Sequence, residues 1–247
     1  MKFVLLLIAL LFTRLPQQPP VRVFMAGDST MSNKEPSAYP ETGWGMPFAY
    51  FWDSTVQVIN RAKNGRSTKT FRSEGLWQAI LNELRAGDYV LIQFGHNDES
   101  VEKQERYAPP DTFRYNLQRF VQEVRQRGGL PVLITPVTRR RFDANGIALE
   151  THVPYSNLVR EVAAQQQVPL LDLDARSREL LQQLGPETSR LLFLHLQPGE
   201  HPNYPEGKTD NTHFNELGAR LMAQLVLQEM QRLQLPLVQH VRKPLRK

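Results

Sequence analysis

Cysteine is absent from the 247 residues, which excludes disulfides, thiolate metal sites and a lipid-modified cysteine. An oxidising compartment is permitted, though not required. Long apolar runs are scarce: FVLLLIALLF, ten residues behind Lys2, is followed by Pro16, Pro19 and Pro20. That run is too short to cross a bilayer comfortably and has the pattern of a secretory leader, so residues 1–20 are expected to direct export, periplasmic or secreted. No clean cleavage site precedes Val21, and no stable membrane insertion is expected after the leader is removed. Internal repeats, low-complexity blocks and Pro/Gly/Ser linkers are also missing, so residues 21–240 read as a single domain with a basic tail at 241–247. The formal charge of +5 belongs to the two ends: without them 24 basic residues face 25 acidic ones, which gives no footprint for nucleic acid. Nothing in the sequence sets the oligomeric state.

Several catalytic signatures are lacking too. There is no G-x-S-x-G elbow. TGWGMPF has two glycines of a dinucleotide fingerprint without the third, and no phosphate-binding loop occurs, so no cofactor is expected. His96, Asp98, His152, His195 and His201 show no recognisable ligand spacing, and no metal is expected.

What is present is an alternation. VRVFMAG (21–27), VQVIN (56–60), DYVLIQF (88–94), LPVLIT (130–135) and VPLLDL (168–173) are short, apolar and rich in Val, Ile and Leu, as buried strands are. Phe113, Leu117, Phe120, Val121 and Val124 fall at helical spacing and predict a helix over 111–127. Leu217, Leu221 and Leu225 mark another near the C-terminus. Strands alternating with helices predict βαβ units and a doubly wound parallel sheet of the α/β class. Residues 185–212 lack periodicity and are expected to be one long functional loop.

Ligands of such sheets bind beyond the carboxyl ends of the strands. There the sequence places Gly27-Asp28-Ser29, the loop RAKNGRST with Gly65, and Gly95-His96-Asn97-Asp98. A serine needs a base. In DNTH, Asp210 and His213 stand three apart, so on a tight turn the carboxylate can orient the imidazole toward Ser29. The backbone N–H of Ser29 and of Gly65 and the Asn97 amide suit an oxyanion. Each element also has a plainer reading: a turn at Ser29 and Gly65, an Asx-turn at Asn97, a surface turn or cap for the Asp-His pair.

Taken in order, GDS, NGRS, GHND and DNTH resemble the four motif blocks of the SGNH (GDSL-type) hydrolases, over nearly the whole chain beyond the leader. GDSTM, the GWG at 43–45, NGRSTKTFRSEG, QFGHND and PGEHPNYPEGKTDNTHFNELGA look like the rhamnogalacturonan acetylesterase group of that superfamily. The resemblance implies a three-layer α/β/α sandwich, flavodoxin-like with a five-stranded parallel sheet, and no cofactor. It implies Ser29 as nucleophile, His213 and Asp210 as base and orienter, Ser29, Gly65 and Asn97 as oxyanion donors, and a supporting role for Asp28. The implied activity is removal of acetyl groups from an acetylated plant cell-wall polysaccharide or oligosaccharide, most readily rhamnogalacturonan, through an acetyl-enzyme.

Substrate contacts expected from the sequence are Trp44, His152, Tyr204 and Arg140. Trp77, Tyr155 and Phe214 are further stacking candidates whose plainer role is core, and Arg139, Arg141 and Lys208 further carboxylate partners. Two rival functions use the same residues: a lipolytic or acyl-thioesterase activity, which wants a long apolar groove, and a non-catalytic carbohydrate-binding protein on this fold.

Overall fold

A computed structural model describes residues 19–243. The leader-like run through residue 18 and the last four residues of the basic tail lie outside the described residues. Five strands, β1 (Val21–Gly27), β2 (Val56–Asn60), β3 (Tyr89–Gln93), β4 (Leu130–Ile134) and β5 (Leu170–Leu171), form a parallel sheet in the order β2-β1-β3-β4-β5. This is the flavodoxin-like order, whose direction of winding reverses between β1 and β3, so the loops leaving those two strands diverge around a crevice.

Alternation along the strands builds two cores. Val23, Met25, Tyr89, Leu91, Val132 and Ile134 point to one face, covered by α1 (Gly45–Phe48), α6 (Leu173–Thr188) and α7 (Glu216–Arg232). Phe24, Ala26, Val90, Ile92 and Leu133 point to the other, covered by α2 (Thr68–Ser73), α3 (Leu76–Glu83), α4 (Pro110–Gln126) and α5 (Tyr155–Gln166). Because the central strands are covered on both sides, they read as continuous apolar runs. Each fully buried large side chain among them contributes about 2 kcal/mol of transfer free energy.

The expected helix at 111–127 is α4, one residue earlier at each end. It closes where Gly128 turns left-handed, at φ +73°. The fifth strand is shorter than expected, because the Asp172 side chain accepts from the Ala175 N–H and starts α6 there. Residues 185–212 are not one loop: α6 breaks at Gly185 (φ +72°) and a further helical turn runs to Thr188, a 3-10 turn spans Ser189–Leu192, and β6 (Phe193–Leu196) pairs antiparallel with β7 (Lys208–Phe214). Chain contacts also run past residue 240, where Val241 bridges Trp52 and the Arg242 N–H donates to the Phe51 carbonyl. Among the described residues no helix is long and apolar enough to cross a membrane.

Candidate active site

The chain leaves β1 through a turn in which the Asp28 carbonyl accepts from the N–H groups of Met31 (3.3 Å) and Ser32 (3.0 Å), lifting Ser29 to the rim while Asp28 and Thr30 stay buried. Asp28 Oδ1 accepts from the Thr30 N–H (2.9 Å) and hydroxyl (2.8 Å). Two glycines of TGWG let a second strand of backbone cross this turn: the Trp44 N–H donates to the Thr30 carbonyl, and a β-carbon on Gly43 would lie 2.0 Å from the Ser32 carbonyl oxygen. The motif that resembled a nucleotide loop is a packing device under Ser29.

The Ser29 Oγ lies 2.9 Å from His213 Nε2, and His213 Nδ1 lies 2.8 Å from Asp210 Oδ2. Asp210 Oδ1 accepts from the N–H groups of Thr212 (2.7 Å) and His213 (3.0 Å). Burial alone would raise the Asp210 pKa, but the hydrogen bonds from the His213 ring and backbone hold it far below the ordinary carboxylate value. An ionised Asp210 fixes the tautomer that leaves Nε2 free to accept from Ser29. The pair sits on β7, not on an isolated turn. Phe214, buried against Phe193 with ring centroids 5.2 Å apart, anchors the ribbon, and alternation then turns His213 outward to the serine.

Three donors face the same space. Among the described residues no acceptor takes the N–H of Ser29 or of Gly65. Gly65 has φ +75°, a conformation that a β-carbon would strain. Asn97, 7% exposed, donates one amide hydrogen to the Arg66 carbonyl at 3.0 Å and keeps the other. Asp98 sets these loops against each other. Its Oδ1 accepts from the Thr68 N–H (2.8 Å) and hydroxyl (2.6 Å) at the start of α2, and Asn116 donates to that hydroxyl at 3.0 Å. Asp98 Oδ2 is buried without a partner, and desolvation pushes its carboxyl up to about 7 despite the threonine bonds.

Ser29, Gly65, Asn97, His213, Thr212 and Arg106 are among the residues lining a cleft of about 430 Å³. A hydroxyl bonded to an oriented imidazole, facing unengaged N–H donors, is equipped for acyl transfer.

Residues 25–221 match the model of the GDSL-like lipase/acylhydrolase family. The chain belongs to that family. It is 45% identical over 222 residues to the rhamnogalacturonan acetylesterase RhgT of Bacillus subtilis, covering 90% of this chain and 94% of that one. The probable rhamnogalacturonan acetylesterase YesY of Bacillus subtilis is 36% identical, with 89% and 96% covered. Among solved structures, that of Bacillus subtilis YxiM superposes with a TM-score of 0.75 at 27% identity, over 87% of this chain and 57% of the other. Axe2, an acetylxylan esterase of Geobacillus stearothermophilus, gives 0.60 at 16%, over 86% and 94%, a likeness of fold.

The expected substrate contacts fare differently from the family blocks. Trp44 is fully buried and donates from Nε1 to Gln93 Oε1 at 2.9 Å, bracing β3 against the Ser29 turn; it has no face to offer a sugar. His152 is buried behind the cleft rather than at its rim. Its Nδ1 lies 3.0 Å from Glu99 Oε2 and 3.3 Å from Arg139 Nη1, and its Nε2 lies 3.0 Å from the Val137 carbonyl oxygen. Against it, 4.2 Å between centroids, stands His96, whose pKa burial drives well below the ordinary value. Arg140 points away from the cleft: Nη1 donates to Asn211 Oδ1 (3.0 Å), Nε to Ser189 Oγ (3.1 Å) and Nη2 to the Pro186 carbonyl, so it clamps the segment that carries Asp210 and His213. Tyr204 is half-buried, its hydroxyl donating to the Ala38 carbonyl at 2.7 Å. Trp77, Tyr155 and Phe214 are core. Arg139 does line the cleft but is paired with Glu99. Among the described residues no group of three or more His, Asp or Glu side chains is arranged to hold a metal.

Sequence reasoning missed Arg106, which stands in the mixed-charge run EKQERY with no pattern to mark it, and the Asp98-Thr68 link. The signal for that link was present: Ser67 and Thr70 form a capping box, which places Thr68 at a helix start where N–H groups need an acceptor.

Proposed function

We propose that this protein is a serine esterase that removes acetyl groups from acetylated rhamnogalacturonan through an acetyl-enzyme intermediate. The observation that carries the chemistry is the hydrogen-bonded series Ser29, His213, Asp210 ending beside the free N–H groups of Ser29 and Gly65. Ser29 Oγ attacks the acetyl carbonyl carbon as its proton passes to His213 Nε2. The negative charge that gathers on the carbonyl oxygen is met by the Ser29 and Gly65 N–H groups and the second amide hydrogen of Asn97. The ester C–O bond then breaks, and His213 gives the proton to the departing sugar oxygen. Water, deprotonated by His213, attacks the acetyl group on Ser29; acetate leaves and the proton returns to Oγ. The polymer backbone stays intact.

The substrate reading is supported by the relatives named as rhamnogalacturonan acetylesterases and by a cleft lined mainly by polar side chains, which suits a short acyl group on a sugar. It is tested by acetate release from acetylated rhamnogalacturonan, acetylated xylan and chitin oligosaccharides. Release is expected to be fastest from the first, and a preference for either neutral polymer would overturn the assignment. A nitrophenyl ester series that favours octanoate over acetate would do the same for the acyl group. We also propose export, supported by the apolar run behind Lys2. Cell fractionation that finds the enzyme retained in the cytoplasm would overturn it.

A further inference from the structure

Most cations around the cleft are already neutralised. Lys34 pairs with Glu41 at 2.7 Å, Arg66 with Glu74 at 2.8 Å, and Arg139 with Glu99. Arg106 is different. Among the described residues its guanidinium has no carboxylate partner, and its Nε is buried without any acceptor. Its Nη1 stands beside the oxyanion loop, so close that a β-carbon placed on Gly65 would lie 3.4 Å from it. Glu102 and Glu105, exposed on the same loop, make no bond to it. The segment is held in place: the Arg106 and Tyr107 N–H groups donate to the Lys103 carbonyl, and the Ala108 N–H donates to the Asp98 carbonyl at 3.0 Å. Arg106 is therefore carried on a segment tied through Ala108 to the loop that bears Asn97. Lys103, exposed and unpaired among the described residues, adds a second positive charge to the same wall.

Nε is closed off from the cleft, but Nη1 and Nη2 have no acceptor among the described residues and remain for a ligand, and their planar fork matches a carboxylate better than a neutral hydroxyl. We propose that Arg106 is a specificity residue that binds the carboxylate of a uronic acid in the acetylated chain while Ser29 works on a nearby acetyl group. The proposal rests on the acidic-polysaccharide reading above and adds the residue that recognises the acid.

The test compares wild type with Arg106→Gln and Arg106→Lys on acetylated rhamnogalacturonan oligosaccharides and on 4-nitrophenyl acetate. Arg106→Gln is expected to lower the ratio of kcat/KM, acidic over neutral substrate, by about tenfold or more, mostly through KM. Arg106→Lys keeps the charge without the fork and should recover only part, and added salt should shrink the wild-type ratio. A deacetylated oligogalacturonate should inhibit 4-nitrophenyl acetate hydrolysis competitively, with a Ki about tenfold higher in Arg106→Gln. An unchanged ratio, or equal losses on both substrates as expected if Arg106 served the oxyanion, would overturn the role of Arg106 while leaving the substrate reading in place. Wild type that hydrolyses 4-nitrophenyl acetate but releases no acetate from the acidic polymer, and is not inhibited by oligogalacturonate, would overturn both.

Discussion

Three aspartates stand around this site, and two of them live differently from the third. Asp28 and Asp98, in the turns after β1 and β3, are fully buried; each has one oxygen satisfied by a threonine N–H and hydroxyl and the other left without a partner. Desolvation raises both pKa values. Asp210, on the half-exposed β6-β7 ribbon, has both oxygens engaged, and those bonds outweigh its burial and depress its pKa. Proximity in sequence would choose Asp28 as partner for the serine. The hydrogen-bond count chooses Asp210, because a group that must stay ionised to stabilise an imidazolium needs its charge solvated by fixed donors. The turns of the parallel sheet supply a rigid floor with carboxyls used as acceptors, and the ribbon supplies the working charge.

The sharpest way to break this division is to remove its meeting point. Ser29→Ala should lower kcat by roughly 10⁶-fold with the fold intact. Residual acetate release near the wild-type rate would reassign the nucleophile. Asp210→Asn should cost on the order of 10⁴-fold, since the imidazole loses its orienting charge, whereas Asp28→Asn, which keeps the acceptor for Thr30, should cost far less. Reversal of that order in steady-state kinetics would exchange the roles of floor and ribbon. Asn97→Ala removes one oxyanion donor and should lower kcat about 10²- to 10³-fold with little change in KM. A rise in KM alone would make Asn97 a ground-state contact.

The same contrast explains what was legible beforehand. The floor could be read because buried parallel strands are unbroken apolar runs and their ends carry glycine and polar residues: β1 and β2 fall within their sequence-based bounds, and Ser29, Gly65 and Asn97 converge as their positions after successive strands require. The ribbon reads as loop because KTDNTHF is polar and only Phe214 is buried, while FLHL is too short to show a period. Trp44 and His152 differ from the expectation for a related reason. Their type suits sugar contact, but only packing shows that Trp44 is tied to Gln93 and His152 to Glu99 beneath the surface. Arg106 left no pattern, since an unpaired cation differs from a paired one only in where its neighbours fold.

The smallest effect tests the floor itself. In the folded protein Asp98 titrates at about 7, against 3.8 for the ordinary carboxyl. Between those values the native state holds a proton that the unfolded chain has lost, so the contribution of Asp98 to stability is full below the unfolded pKa and is lost as pH rises toward the folded one. The slope is on the order of 1 kcal/mol per pH unit. Asp28 has the same sign and its charge adds to the Asp98 shift, while Asp210 acts only at lower pH, so the comparison of wild type with Asp98→Asn reports Asp98 together with its coupling to Asp28. The variant keeps the oxygen that accepts from Thr68 and cannot ionise. Its amide nitrogen imposes a penalty that does not vary with pH, so the difference in slope carries the information and the absolute stabilities do not. Urea midpoints at pH 4.5, 5.5 and 6.5 should fall more steeply with pH for wild type than for Asp98→Asn. Parallel lines would mean that water reaches the unpartnered Oδ2 and solvates the charge, and the floor would then be as wet as the ribbon.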